Sequence, residues 1–319
     1  MRKGRARRTL RLLTGALLMA ALPACQIAMP GSQTQTDDDF RLAVPRQPSG
    51  NSKALRDYYA RVLDDHLTRG LLRQDGGGPD TVFSADDLAR NFEKIAFYDE
   101  YARGAGLKKA SATAGALGRW RRPVRVTVEF GDRVPLDQRL RDKATVQSYT
   151  ARLSRVTGHP ISMTSAGGRG NFHVLFMGED DRAHAVTRIK QLEPGIHDAT
   201  LDVVRNLSRS DYCLVIAFSS PGNDDEYVSA IALIRDENPG ILRKACIHEE
   251  IAQGLGLTND SPRARPSIFN DDDEFALLTT HDEMLLAMLY DNRLSIGISA
   301  EQARPIVRQM AREQLGATN

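Results

Sequence analysis

The residues whose types and spacing suit chemistry lie together in one stretch, Cys246-Ile247-His248-Glu249-Glu250-Ile251-Ala252-Gln253-Gly254-Leu255-Gly256-Leu257-Thr258-Asn259-Asp260. Zinc hydrolases that hold their metal on a helix place two histidines at i and i+4, with a glutamate general base beside the first. That spacing works because both side chains leave the same side of the helix and reach one ion. Two registers can be tested. Starting from His248, the partner is Ala252, which cannot ligate. Starting from Glu249, the partner is Gln253, Glu250 takes the general-base position, and Asn259 falls at the third ligand.

The skeleton is zincin-like, but its ligands would be Glu249, Gln253 and Asn259. Zn²⁺ prefers imidazole, thiolate and carboxylate over neutral amides. A harder ion such as Ca²⁺ would be served by the oxygens of Glu249, Gln253, Asn259 and Asp260. His248 projects about 100° from Glu249 on a helical wheel and stands outside that set. On the same wheel Leu242, Ala245, Cys246, Glu249, Ala252, Gln253 and Gly256 share one side, and Ile247, Ile251 and Leu255 line the other. A helix apolar on both sides is buried between layers. A purely structural alternative therefore stands beside the catalytic one, with Glu249 bonded to backbone or to Gln253 and orienting the loop that follows. The expected cofactor is none, with Zn²⁺ or Ca²⁺ as the alternatives.

The elements that must position this helix can be read along the chain. Residues 1–24 carry six basic side chains and no acid, and end in an apolar run, Leu12 to Leu22, too short to span a bilayer. They read as a signal peptide. Arg7-Arg8-Thr9-Leu10 faintly resembles a twin-arginine signal. Leu22-Pro23-Ala24-Cys25 resembles a lipobox, with Pro23 where a small or aliphatic residue is usual. Cys25 is thus the expected lipidation site, and ordinary signal-peptidase cleavage that leaves a thiol is the alternative. Residues 25–51 are polar and Pro/Ser/Gln-rich, a flexible tether. The expected location is the cell envelope, lipid-anchored at the outer membrane facing the periplasm, or otherwise free in the periplasm.

Two helices are expected in residues 52–118. The first has an apolar stripe of Leu55, Tyr58/Tyr59, Val62/Leu63 and His66/Leu67. The second opens at the capping box Ser84-Ala85-Asp86-Asp87 and runs to about Tyr101. Strict alternation marks a strand at 124–130, and further strands are expected at 172–177, 212–218 and 227–234. The last two are expected to form an antiparallel hairpin with a generous loop at Pro221-Gly222-Asn223-Asp224. Helices are expected at 136–157, 240–255 and 282–291. The expected fold is α+β, strands first and helices after: a zincin-like mixed sheet over residues 119–298 packed against a buried former active-site helix, with added N-terminal helices and a C-terminal helix or tail at 299–319.

The chain holds three cysteines. With Cys25 lipidated, Cys213 and Cys246 are expected to pair as a disulfide, with two separate buried thiols as the alternative. Cys246 shares the wheel face of Glu249, which points toward the strand holding Cys213.

Taken together, Asn91-Phe92, Ile95-Ala96-Phe97, Trp120, Pro123-Val124-Arg125-Val126, Cys213, the Cys246–Asp260 stretch, Ser267-Ile268-Phe269-Asn270-Asp271 and Leu289-Tyr290-Asp291 resemble a bacterial envelope family catalogued as domain of unknown function 2927. The resemblance spans residues 85–298 and implies a zincin-like fold in a secreted or lipid-anchored protein; it implies no activity. Phe269 stands where a metzincin would carry its Met-turn methionine.

Other features carry less. The acidic run Asn270-Asp271-Asp272-Asp273-Glu274 lacks EF-hand spacing and reads as a solvated loop. Gly167-Gly168-Arg169-Gly170-Asn171 lacks the Lys-Ser/Thr of a phosphate loop and reads as a turn. His159, His173, His184 and His197 show no ligand spacing, and no Gly-x-Ser-x-Gly elbow is present. Beyond residue 24 the charge is 37 basic against 41 acidic, a balance without the footprint of a nucleic-acid binder. The sequence thus supports a non-catalytic envelope module that binds a protein, peptide or envelope polymer and meets the membrane through its lipid. The alternative is an atypical hydrolase with Glu250 as general base, helped by Glu249 or Asp260.

Overall fold

The computed structural model describes residues 47–98, 113–165 and 168–316; the signal, Cys25, most of the tether, Tyr101 and Gly167 lie outside the described residues. Among the described residues no helix is long and apolar enough to cross a membrane.

The fold is α+β. In chain order the elements are α1 (Gly50–Thr68), α2 (Ala85–Ala96), β1 (Arg119–Trp120), β2 (Val124–Phe130), α3 (Leu136–Thr157), β3 (Ile161–Met163), β4 (Phe172–Phe176), α4 (Arg182–Leu192), α5 (Asp198–Arg205), β5 (Cys213–Ser220), β6 (Asn223–Ile234), α6 (Gly240–Gln253), α7 (Thr280–Leu289) and α8 (Ala300–Gln314). Strands β3-β2-β4-β6 lie side by side and parallel. β1 adds two parallel residues to the start of β6, and β5 runs antiparallel along β6. Parallel neighbours need crossovers, which corrects the expected order of strands first and helices after: α3 carries the chain from β2 to β3, and α4 and α5 fill the path from β4 to β5.

Alternation decides which side each strand residue takes. Val124 and Val126 of β2, Phe172, Val174 and Phe176 of β4, and Ala230, Ala232 and Ile234 of β6 face the main core, which α2, α3, α6, α7 and α8 complete. Leu175, Ile231 and Leu233 face the opposite side under α4 and α5. β4 is buried at every position, as a central parallel strand should be.

The ends of the elements follow local chemistry. Ser84 and Asp87 close a capping box on α2, and Thr279 and Asp282 close one on α7. Gly158 ends α3 in the left-handed conformation, at φ +65°. α2 stops at Ala96, short of the expected Tyr101. The β5–β6 connection is tighter than expected, because both strands extend until only Pro221 and Gly222 remain between them. The stripe expected on α1 is met in part: Tyr59 and His66 are buried and Leu55, Tyr58, Val62 and Leu63 are half-buried. The buried residues of α1 are Ser52, Tyr59 and His66, while Leu67 is half exposed. Polar partners on the body, met by Ser52 and Arg56, add to the packing of Tyr59 on Tyr212.

Candidate functional site

α6 starts after Pro239 and packs against β5 and β6 on the main-core side. Two glycines end it for steric reasons. A Cβ on Gly254 would lie 2.5 Å from the Phe172 ring, and one on Gly256, whose φ is +128°, would lie 2.5 Å from the Gly118 carbonyl oxygen. The indole N–H of Trp120 donates to the Gly254 carbonyl at 2.8 Å, and the Tyr290 hydroxyl donates to that of Leu255 at 2.9 Å. The Gly-Leu-Gly turn is thus clamped between β1, β4 and α7.

Cys246 is bonded to Cys213, with their Cα atoms 5.9 Å apart, so a disulfide pins α6 to β5. Beside it Glu249 is half-buried and Glu250 is buried. The carboxylates of Glu249 and Glu250 and the Cys213 sulfur lie within 4.8 Å of one another. A sulfur in a disulfide offers no thiolate to a metal, so this group supplies two carboxylates and no third anionic ligand.

The amide nitrogens of the remaining candidates are bonded to other partners. Gln253 gives its amide to Asp260 Oδ1 at 3.4 Å. Asn259 is buried and turned toward the end of α2: its Nδ2 donates to the carbonyls of Lys94 and Asp260, both at 3.0 Å, and its backbone N–H donates to that of Ile95 at 3.2 Å. The position in register with a third metal ligand is thereby committed to satisfying the carbonyls of a helix end.

His248 leaves the other side of α6, as the wheel predicts. It stacks on Tyr149 at 4.0 Å between ring centroids, and the Tyr149 hydroxyl donates to the His248 carbonyl at 2.7 Å. The Leu278 N–H donates to Nδ1 at 3.1 Å, so the neutral ring keeps its proton on Nε2. Burial, reinforced by Arg152 and Lys244, lowers its pKa to about 3. At neutral pH it is an uncharged packing residue.

Sequence reasoning missed the ion network at the start of α6. Arg243 is buried and donates to both oxygens of Asp142 at 3.0 Å and to Asp236 Oδ1 at 3.2 Å. The available signal was Arg235-Asp236-Glu237-Asn238, four polar residues directly behind an apolar strand, all of them buried.

A model of a protein family of unknown function, DUF2927, matches residues 85–309. The chain belongs to that family. No curated protein and no solved structure matches it. The DUF2927 match runs from α2 into α8 and contains the disulfide, the Glu249–Glu250 pair and Asn259, while α1 precedes it.

Proposed function

We propose that this chain is a secreted, lipid-anchored cell-envelope protein whose zincin-like α6 region serves binding rather than hydrolysis. The observation that carries the non-catalytic half is Asn259, whose amide nitrogen is spent on the carbonyls of Lys94, at the end of α2, and Asp260. Among the described residues Cys213 is oxidised and Gln253 donates to Asp260, so the anionic donors gathered there are the carboxylates of Glu249 and Glu250, short of the set a tetrahedral zinc site needs. The envelope half is supported by the basic and apolar composition of residues 1–24, by Leu-Pro-Ala-Cys25, and by a disulfide that suits an oxidising compartment. The partner is an envelope protein, peptide or polymer.

One observation favours hydrolysis. Glu249 and Glu250 bring two carboxylates together, one of them buried, the arrangement from which a general base is made. Elemental analysis of the chain purified without chelator, before and after equilibration with Zn²⁺ and Ca²⁺, separates the two readings. Less than stoichiometric metal and no cleavage of a peptide library are expected. One zinc per chain, lost in Glu249→Ala, with peptide hydrolysis abolished by Glu250→Ala, overturns the binding reading. Cys25→Ser is expected to move the protein from the membrane to the soluble fraction; unchanged membrane retention refutes the anchor.

A further inference from the structure

β2, β4 and β6 deliver their carboxyl ends to one edge of the sheet. In open α/β sheets ligands settle outside those ends, where neighbouring connections leave in opposite directions. Here α3 leads from β2 to β3 on one side of β2, and β4 lies on the other. Behind the three strands come Gly131, Gly178, Asp180, Asp181, Asp236 and Glu237.

This edge is shaped around its acids. A Cβ on Gly131 would stand 2.0 Å from Asp181 Oδ2, and one on Gly178 would stand 2.6 Å from Glu237 Oε1. Both carboxylates occupy space that any other residue would fill. Glu237 is 1% exposed, yet its Oε2 has no hydrogen-bond partner. Burial pushes the carboxyls of Asp181 and Glu237 up. A buried carboxylate oxygen without a donor costs the fold stability and calls for a reason outside packing.

α1 covers this edge with donors. The Ser49 N–H donates to Asp180 Oδ2 at 2.8 Å, and the Ser52 hydroxyl donates to Glu237 Oε1 at 2.7 Å. The Arg56 guanidinium pairs with the Asp236 carboxylate and donates to the Asp236 carbonyl at 3.2 Å. The positive end of the helix dipole also faces the acids. Farther along α1 only Tyr59 and His66 are buried, and the whole helix precedes the family domain that begins at Ala85. A divalent ion is the poorer occupant. Among the described residues no three acids of this edge bring oxygens within 4.8 Å of one another, and Arg56, Arg133 and Arg243 already supply positive charge.

We propose that the carboxyl edge of the sheet is a recognition site for a basic polypeptide segment, taking a guanidinium or ammonium group at Asp236 and a hydrogen-bond donor at Glu237, and that α1 occupies it in cis. A partner carrying such a segment competes with α1 for the site. The inference is independent of how α6 is read.

The test uses the full chain, its Arg56→Glu variant, and a fluorescent synthetic peptide of residues 47–66 as probe. Arg56→Glu sets a carboxylate against Asp236 and should expel α1. Amide exchange in residues 53–66 should then rise at least tenfold while β4, β6 and α6 keep their protection. The peptide should bind the variant saturably and the wild-type chain at least tenfold more weakly, because α1 fills the site there. The same peptide carrying Arg56→Glu should not bind, and adding Glu237→Gln to the chain should weaken binding at least tenfold. If Arg56→Glu loosens the whole body, Ser52→Asp, placed against Glu237, is read in its place. Wild-type protection of α1 in both variants overturns the proposal, and so does an undocked α1 whose site fails to take the peptide.

Discussion

Removing the Cys213–Cys246 bridge tests how α6 is held. The bridge spans 33 residues. In the chain-entropy model, closing a loop of that length restricts the unfolded chain by about 12 cal/mol/K, or ~3.7 kcal/mol at 25 °C. Cys213→Ala and Cys246→Ala should each lose that amount, because either change destroys the same crosslink. The double variant should lose little more, under ~1 kcal/mol beyond a single, for the packing of the second sulfur. This non-additivity separates a bridge from two independent buried thiols, whose losses would sum. Trp120 provides the assay. It is the only tryptophan, 1% exposed and stacked on Phe172, so its emission should shift sharply on unfolding in urea. With an m-value of ~3 kcal/mol/M the midpoint should fall by more than about 1 M. Reduction of the wild-type chain should reproduce the shift. Single-variant losses that add, or a loss below ~1 kcal/mol, would refute the reasoning.

Three further outcomes follow from α6 and its loop. His248 is held neutral, with a folded pKa of about 3 against an ordinary value of 6.5, so its contribution to stability is complete above 6.5 and is lost as pH falls toward 3. Between pH 7 and 5 the wild-type chain should lose ~2 kcal/mol more than His248→Asn, as read by urea unfolding; parallel pH profiles would contradict the assignment. Asn259→Ala should cost ~1–3 kcal/mol by stranding the Lys94 and Asp260 carbonyls, and Asn259→His should create no zinc affinity in a calorimetric titration. Tight zinc binding by Asn259→His would mean that this position faces Glu249 after all.

Much of the secondary structure was legible because its causes are local. The Ser84–Asp87 box, the alternation at 124–130 and the helix at 136–157 depend on neighbours within a turn or a pleat, and the structure has them where the pattern puts them. On α1 the helical repeat found Tyr59 and His66 on the docking face but not Ser52 and Arg56, which dock through polar contacts. Their partners lie far along the chain, and periodicity carries no information about them. The hairpin loop was overestimated because Asn223 and Asp224, typical turn residues, open β6.

At the candidate site the division is similar. The sequence by itself determined that α6 would be buried, that His248 would stand apart from Glu249, and that amides would replace the ligands of a zinc helix. It made Cys213–Cys246 the expected pair against two separate thiols, and the structure has that bridge, with the Cα atoms 5.9 Å apart. Tertiary structure alone turned Asn259 toward Lys94, 165 residues away in the chain, and joined Ser52 to Glu237 across 185 residues. Helical spacing fixes where side chains leave one helix. Which carboxylates, donors and glycines meet at the carboxyl edge depends on strand order, and no local pattern encodes that.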